Sequence, residues 1–225
     1  MSQYTRIEVI QKMGEIGMVP VFYHRDFETA KQVLKATYDG GCRVFEFTNR
    51  GDNSHKIFEK LLEFAHAHLP GMMLGIGSIV DPFTAALYIQ MGADFIVCPL
   101  LNEEVIKICN RRKVAVSPGC GSVTEIGKAE ELGVELVKVF PAAQVGGPGF
   151  IKGIKAPCPW SNIMPTGGVT TEKDNLKSWF EAGAYCVGIG SNLILKEHSG
   201  NIDIDGIESL TRQVLEDINS IRKNF

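Results

Sequence analysis

A lysine lies in the middle of the apolar segment Leu136–Ala142, where a charged side chain is unusual. Side chains alternate between the two faces of a strand, so Lys138 shares a face with Leu136 and Phe140. Burial disfavours a charged ammonium, and the neutral amine is the form that attacks a carbonyl to give a Schiff base. The segment therefore predicts a nucleophilic lysine; a lysine paired with a buried carboxylate for structure alone is the alternative.

A second apolar segment, Cys42–Thr48, carries polar side chains on one face. Glu46 and Thr48 alternate with apolar residues, and Arg50 follows where the segment ends. A carboxylate near a lysine can transfer protons in imine chemistry, and an arginine binds a carboxylate through two parallel hydrogen bonds. Glu46 and Arg50 are therefore predicted to act on a 2-keto acid substrate. A structural ion pair of Glu46 with Arg50 or with Lys138 is the alternative.

Glycines follow the last two apolar segments of the chain. Thr166, Gly167 and Gly168 end one of these segments, and Ser191 follows Gly190 at the end of the other. Glycine lets the backbone approach an anion closely, and helix N-termini favour negative charge. The two segments predict a phosphate site in which the Ser191 hydroxyl also takes part. Two ordinary glycine turns are the alternative.

Eight short apolar runs must position these side chains, and a polar turn and a helix-like stretch follow the runs. Regular strand–helix alternation predicts a parallel sheet, and eight units predict a closed (β/α)8 barrel, the TIM-barrel architecture, as one domain over residues 1–225. An open doubly wound sheet is the alternative. The runs are Met18–Tyr23, Cys42–Thr48, Met72–Ile79, Phe95–Leu100, Val114–Ser117, Leu136–Pro141, Asn162–Thr166 and Tyr185–Gly190.

A weak internal repeat supports this architecture. In each copy a glycine ends a predicted helix and a small or branched residue begins the next strand, because glycine suits the left-handed conformation at a helix C-terminus. Two segments outside the eight units are predicted to be helices, one capping the bottom of the barrel and one packing on its outer ring: Tyr4–Gly14 and Asp205–Arg222. The repeated junctions are Gly41-Cys42, Gly92-Ala93, Gly133-Val134 and Gly183-Ala184.

The composition of the chain limits the kinds of binding partner and the cellular location that we expect. The chain has 225 residues, 23 basic and 26 acidic, with a net charge of -3, and no basic stripe predicts nucleic-acid or membrane binding. The six cysteines form no C-x-x-C motif and no zinc spacing with histidine, which indicates a reducing compartment. No run of about 18 apolar residues and no signal peptide is present. The expected location is the cytoplasm.

Motifs in several of these segments occur in one order and spacing. On them the chain resembles the 2-keto-3-deoxy-6-phosphogluconate / 4-hydroxy-2-oxoglutarate (KDPG/KHG) aldolase family from about Val19 to Ser191. Each motif alone is only moderately specific, whereas the ordered set is highly specific. The motifs are E-F-T-N-R at Glu46–Arg50, G-I-G-S at Gly75–Ser78, S-P-G at Ser117–Gly119, V-K-V-F-P-A at Val137–Ala142 and P-T-G-G-V at Pro165–Val169.

The resemblance implies a homotrimeric class I aldolase barrel that needs neither a metal nor another cofactor. It assigns the Schiff base to Lys138, acid/base catalysis to Glu46 and carboxylate binding to Arg50. It also places the Ser78 hydroxyl and the backbone at Pro99 near the pyruvyl group, with serine standing at 78 where threonine is usual. The resemblance also assigns phosphate binding to Gly167, Gly168 and Ser191.

The expected ligands are a small keto acid and a phosphorylated sugar acid. The main reaction predicted is reversible cleavage of 2-keto-3-deoxy-6-phosphogluconate to pyruvate and glyceraldehyde 3-phosphate, with 4-hydroxy-2-oxoglutarate as a further substrate. A 2-keto-3-deoxy-6-phosphogalactonate aldolase remains open, as does a phosphate-binding barrel epimerase or isomerase that uses Glu46 as a base without an imine. A catalytically silent sugar-phosphate sensor is disfavoured, because a sensor needs no buried nucleophile.

Overall fold

The computed structural model describes residues 2–197 and 199–223; residues 1, 198, 224 and 225 of the predicted domain lie outside this description. The strands are β1 (Met18–Phe22), β2 (Val44–Thr48), β3 (Met73–Gly77), β4 (Phe95–Val97), β5 (Ala115–Ser117), β6 (Gly119–Cys120), β7 (Val137–Val139), β8 (Ile163–Pro165) and β9 (Val187–Ile189). The helices are α1 (Arg6–Ile16), α2 (Phe27–Asp39), α3 (Ser54–His68), α4 (Pro82–Met91), α5 (Glu103–Arg112), α6 (Val123–Glu131), α7 (Gly147–Lys155), α8 (Lys173–Glu181) and α9 (Ile204–Arg222), and a 3-10 turn spans Ser191–Leu193.

The strands pair in parallel within two sheets. One sheet has the order β5-β4-β3-β2-β1-β9 and the other has the order β6-β7-β8. Strands β5 and β6 are successive parts of one segment, interrupted at Pro118, which has no N–H to donate to a ladder. The predicted α/β class with parallel strands is therefore confirmed.

The two sheets also meet at their other ends. Thr166 forms a parallel bridge with Gly188, and the Tyr185 N–H donates to the Ile163 carbonyl at 2.9 Å. These contacts link the ends of β8 and β9 in addition to the continuous chain at Pro118. Closure of eight strands into one complete barrel stays a prediction.

Apolar side chains divide between two faces of the sheets. Val137 and Val139 belong to a large cluster that also contains the apolar faces of the outer helices, whereas Leu136 belongs to a smaller cluster with inward residues of other strands. Lys138 alternates with the two valines and therefore points to the same side as Leu136. Met13 and its neighbours on α1 join the smaller cluster, which agrees with the cap predicted at the N-terminal end of the strands.

The glycine junctions share one backbone geometry. Gly41, Gly92, Gly133 and Gly183 have φ of 106°, 107°, 85° and 99°. The residue after each donates its N–H to the carbonyl five positions earlier, as the N–H of Cys42 does to Thr37 O at 3.0 Å, which is the hydrogen bond of a Schellman motif. The prediction that each of these glycines ends a helix is therefore confirmed.

Lys113 occupies the same position at the end of α5, without the freedom of glycine. Its φ is 55° and it is exposed, and the next residue donates to Cys109 O at 3.0 Å. Because a Cβ strains the left-handed conformation, Lys113→Gly is expected to raise the free energy of unfolding by about 1 kcal/mol. Chemical denaturation measures this, and Lys113→Ala is the control because it keeps the strain. Equal gains for glycine and alanine would contradict the explanation.

The C-terminal helix packs on the outside of the fold. Helix α9 contacts α2 and α8, as expected for the segment predicted at Asp205–Arg222. The Arg222 guanidinium donates to Gly14 O at 2.6 Å and also to Tyr185 O, so it ties the end of α9 to the end of α1. None of the helices that the structure describes is both long enough and apolar enough to cross a lipid bilayer.

Candidate active site

A cavity of about 500 Å³ opens where β1, β2, β8 and β9 end. It is called the site cavity below. Residues that follow several different strands line it together, because the carboxyl ends of parallel strands meet at one edge. The structure thus brings five of the predicted site residues to one place, namely Arg50, Thr166, Gly167, Gly168 and Ser191. Their functions stay predictions.

Lys138 lies beside this cavity, on the inward face of β7. Its side chain is almost wholly buried, with 6% of the residue exposed. The ammonium nitrogen lies 5.1 Å from the ring centroid of Phe140, and Phe140 is part of the cavity wall. Gly119 on one side and Met164 on the other hold the backbone of Lys138 in register. The lysine is therefore held between neighbouring strands rather than on a mobile loop.

Glu46 lies in β2 and is buried, with 1% of the residue exposed, and it does not itself line the site cavity. Burial raises the pKa of Glu46, and the positive charges of Lys138 and Arg50 oppose this rise. Among the described residues, its Oε2 atom has no hydrogen-bond partner. A buried carboxyl group with a raised pKa and an oxygen that has no described partner can exchange a proton with a bound ligand. No ion pair formed between described residues includes Glu46, which speaks against a purely structural pairing.

Gly77 explains where the Glu46 carboxyl group can lie. A Cβ atom built on Gly77 would stand 1.7 Å from Glu46 Oε1 and 2.5 Å from its Cδ. The carboxyl group therefore packs directly against the backbone of β3, at a place that only glycine leaves open. The G-I-G-S motif contained this glycine, but the sequence did not show that it makes room for Glu46.

Gly77→Ala is expected to lower kcat by on the order of 100-fold, because the added methyl group displaces the Glu46 carboxyl group, to which the family resemblance assigns acid/base catalysis. The rate of turnover under saturating substrate tests this. Gly153→Ala is a matched control, since a Cβ there meets nothing within 4 Å and alanine favours the helix interior. If both variants keep wild-type kcat, the packing of Gly77 does not position the carboxyl group.

Ser78 and Pro99 lie at the ends of β3 and β4 but not in the wall of the site cavity. Ser78 is half-buried with φ of 62°, and Pro99 is half-buried beneath Gly119. A Cβ on Gly119 would lie 2.4 Å from the Pro99 carbonyl carbon and oxygen. The structure thus places both residues at the predicted edge of the sheet, and their contact with a pyruvyl group stays a prediction.

Asn49, the polar residue that precedes Arg50, connects the end of β2 to neighbouring elements of the fold. The buried Tyr88 hydroxyl donates to Asn49 Oδ1 at 2.9 Å, and the Asn49 N–H donates to Gly77 O at 2.9 Å. Burial raises the pKa of Tyr88 to about 12, so the phenol remains a hydrogen-bond donor. A polar residue before Arg50 is therefore used to tie the end of β2 to helix α4.

The site cavity is also lined by residues that were not predicted from the sequence to bind a ligand. Tyr23 ends the first predicted run, and Phe140 shares the face of Lys138, so periodicity could have found both. Asn192 and Lys196 follow the last strand, where no strand pattern assigns a direction. Within residues 2–197 and 199–223, no three His, Cys, Asp or Glu side chains come together as a metal site requires.

Comparisons with known proteins identify the family of this chain. The family model described as KDPG and KHG aldolase matches residues 9–210. The 2-dehydro-3-deoxy-phosphogluconate aldolase of Haemophilus influenzae is 28% identical over 95% of this chain and 98% of its own length. The 2-dehydro-3-deoxy-6-phosphogalactonate aldolase of Escherichia coli is 36% identical over 54% of this chain and 58% of its own length.

A solved structure is similar over nearly the whole chain. The KDPG aldolase of Legionella pneumophila, with pyruvate captured as a covalent carbinolamine intermediate, is 26% identical, covers 90% of this chain and 97% of its own, and gives a TM-score of 0.79. The resemblance predicted from the ordered motifs is thereby confirmed, and with it the assignment to the carbon–carbon lyases. The chain belongs to the KDPG and KHG aldolase family.

Proposed function

We propose that this chain reversibly cleaves 2-keto-3-deoxy-6-phosphogluconate to pyruvate and glyceraldehyde 3-phosphate through a Schiff base on Lys138. One observation carries the proposal: the buried Glu46 carboxyl group lies close enough to the buried Lys138 and to Arg50 for both positive charges to act on its pKa, and Arg50 lines the site cavity. This reaction is the aldol step of the Entner–Doudoroff route. Neither a metal nor another cofactor enters the proposed mechanism.

The first stage joins the substrate to the enzyme. The Lys138 amine attacks the keto carbon C2 and gives a carbinolamine, which loses water to become an iminium ion. The Arg50 guanidinium binds the neighbouring carboxylate and keeps C2 within reach of the amine. The carbinolamine captured in the relative from Legionella pneumophila supports a covalent intermediate of this kind.

The second stage breaks the carbon–carbon bond. Glu46 takes the proton of the C4 hydroxyl, the C4–oxygen double bond forms, and the electron pair of the C3–C4 bond moves into the iminium to give an enamine. The aldehyde leaves, Glu46 returns its proton to C3, and water hydrolyses the resulting iminium to pyruvate and the free amine. The unpaired Glu46 oxygen and the raised pKa of the group support this role.

The phosphate is proposed to bind at the ends of β8 and β9. Thr166 Oγ1 is buried without a hydrogen-bond partner in the described part of the chain, and Thr166 lines the site cavity. Gly167 and Gly168 have φ of 91° and 85°, a conformation that favours glycine and turns backbone groups toward an anion. Ser191 begins the 3-10 turn at the same cavity and supplies a hydroxyl. Ser78 and Pro99 are proposed to lie near the pyruvyl group.

Two further substrates follow from specific observations. The family model covers KHG aldolases, so we include cleavage of 4-hydroxy-2-oxoglutarate to pyruvate and glyoxylate. The relative from Escherichia coli that acts on the phosphogalactonate isomer is 36% identical over its matched part, so that isomer is the second candidate. Parallel assays of the three acids, with lactate dehydrogenase reporting pyruvate, rank them by kcat/KM.

Borohydride trapping tests the covalent step. Incubation with pyruvate and borohydride is expected to add one reduced pyruvyl group to the peptide that contains Lys138, as read by mass spectrometry. Omission of either reagent is the control. An unmodified Lys138 peptide from enzyme that cleaves the substrate would overturn the Schiff-base mechanism and would favour proton abstraction by Glu46 alone.

The fold is proposed to be one closed (β/α)8 barrel over residues 1–225, with β5 and β6 counted as a single strand. The bridge between Thr166 and Gly188 and the continuous chain at Pro118 support closure. The proposed location is the cytoplasm, supported by cysteines of which all but Cys158 are buried and none is paired.

The proposed assembly is a homotrimer. Apolar side chains are exposed around the start of α4, with Phe83 at 84% exposure, and Asn102 Nδ2 donates to Val80 O at 3.0 Å, which joins this surface to the loop before α5. An apolar surface of this kind is typical of a subunit interface. Sedimentation equilibrium is expected to give three times the monomer mass, and a monomeric mass would contradict the proposal. The exposed residues are Val80, Phe83, Leu87 and Leu100.

A further inference from the structure

The wall of the site cavity carries more positive charge than a monoanionic keto acid requires. Within the described part of the chain, the wall contains two cationic side chains, Arg50 and Lys196, and no carboxylate. One guanidinium is sufficient for the single carboxylate of pyruvate. The second cation therefore predicts a second anionic group on the ligand, and a phosphate at the far end of the substrate is such a group.

Lys196 lies on the side of the cavity where β8 and β9 end. It follows Ser191 in the same loop, and Ser191, Gly167 and Gly168 line the same cavity. The backbone of Lys196 forms an antiparallel bridge with Ile202, so the segment that carries it is paired rather than loose. A lysine held here can place its ammonium group beside an anion that the glycine N–H groups and the serine hydroxyl already surround.

The neighbouring acidic residue, Glu197, does not form an ion pair with Lys196. No ion pair that the structure describes involves Lys196, and the neighbouring Glu197 accepts a hydrogen bond from Ser199 Oγ at 2.9 Å. The ammonium group thus has no described carboxylate to give up when a ligand binds. Because exposed charges are screened by salt, its attraction for a ligand also depends on ionic strength.

We propose that Lys196 is a specificity-determining residue that binds the phosphate of the substrate and favours phosphorylated over unphosphorylated keto acids. This inference rests on the proposed function, because it assumes that keto acids are cleaved in the site cavity. Lys196 contacts only the remote end of the substrate, so its loss raises KM and leaves the chemistry at Lys138 unchanged.

The test compares wild type with Lys196→Met, Lys196→Arg and the control Lys152→Met, which removes an exposed lysine of α7. For 2-keto-3-deoxy-6-phosphogluconate, Lys196→Met is expected to raise KM about ten-fold, equivalent to ~1.4 kcal/mol, and Lys196→Arg to retain most of the wild-type value. The pyruvate concentration that half-saturates borohydride trapping is expected to stay unchanged. Raising the salt concentration is expected to increase KM for wild type more than for Lys196→Met.

The outcomes separate the inference from the proposed function. A wild-type enzyme that releases no pyruvate from any of the acids contradicts the proposed function itself. An active wild type with the same KM in Lys196→Met overturns only the role of Lys196. An equal loss of affinity for pyruvate and for the phosphorylated acid also overturns it, since a general disturbance of the site then explains the result.

Discussion

Replacement of Lys138 by methionine is expected to lower kcat/KM for 2-keto-3-deoxy-6-phosphogluconate by on the order of 10⁴-fold or more, as loss of a catalytic nucleophile does in other enzymes. Methionine is an unbranched side chain only one atom shorter than lysine and fills most of the same buried space. It supplies no amine, so neither the carbinolamine nor the electron-accepting iminium can form. The coupled pyruvate assay measures the loss.

The same variant should lose borohydride trapping and keep its fold. Lys138 is 6% exposed and lies 5.1 Å from the Phe140 ring centroid, so an apolar side chain suits its surroundings. Circular dichroism and thermal unfolding therefore provide the control. A folded Lys138→Met protein that retains wild-type turnover would show that another group carries the reaction.

Strand periodicity predicted the inward direction of Lys138 because alternation is a local property. Val137 and Val139 take the helix side and Leu136 the inner side, and the structure agrees at each position. The same reasoning placed Glu46 and Arg50 on β2 and its following loop. Because alternation with a period of two does not depend on contacts between distant segments, the sequence alone is sufficient to predict these side-chain directions.

Other features depend on contacts between distant segments and were not predictable. The space that Gly77 leaves for Glu46 exists only because β2 and β3 pair in register, with Glu46 opposite Gly75. The predicted run Val114–Ser117 contains β5, which pairs with β4, but it did not predict that the chain continues beyond Pro118 as β6, which pairs with β7 in the other sheet. Lys196 lies beyond the last strand, where only the folded loop shows which cavity it reaches.

Replacement of Glu46 by glutamine is expected to lower kcat by about 10²- to 10⁴-fold, the usual contribution of a general acid/base. The amide has nearly the same shape but cannot take the proton of the C4 hydroxyl. Imine formation with pyruvate at Lys138 should persist, since borohydride traps an adduct that precedes bond cleavage. Loss of turnover with retained trapping assigns Glu46 to proton transfer, whereas unchanged turnover would exclude it.

The same substitution is expected to stabilise the protein at neutral pH. Burial raises the pKa of Glu46, so the folded state holds a proton more tightly than the unfolded chain does. Stability of the wild type therefore falls as pH rises from the unfolded value of about 4.3 through the folded value, and the loss is complete above it. Glutamine has no such titration. The gain in Tm should thus be largest at neutral pH and shrink toward pH ~4.

Glu104→Gln is the matched control for this comparison. Glu104 is exposed, and its hydrogen bond and charge interaction with Lys107 lower its pKa, so its ionisation favours the folded state instead. Its substitution should therefore give no gain in Tm at neutral pH. If Glu46→Gln changes Tm by the same amount at every pH, the burial of an ionisable group is not the cause. A difference that grows with pH links the stability of the fold to the group that the reaction requires, because the burial that disfavours the charge also prepares the carboxyl group for proton transfer.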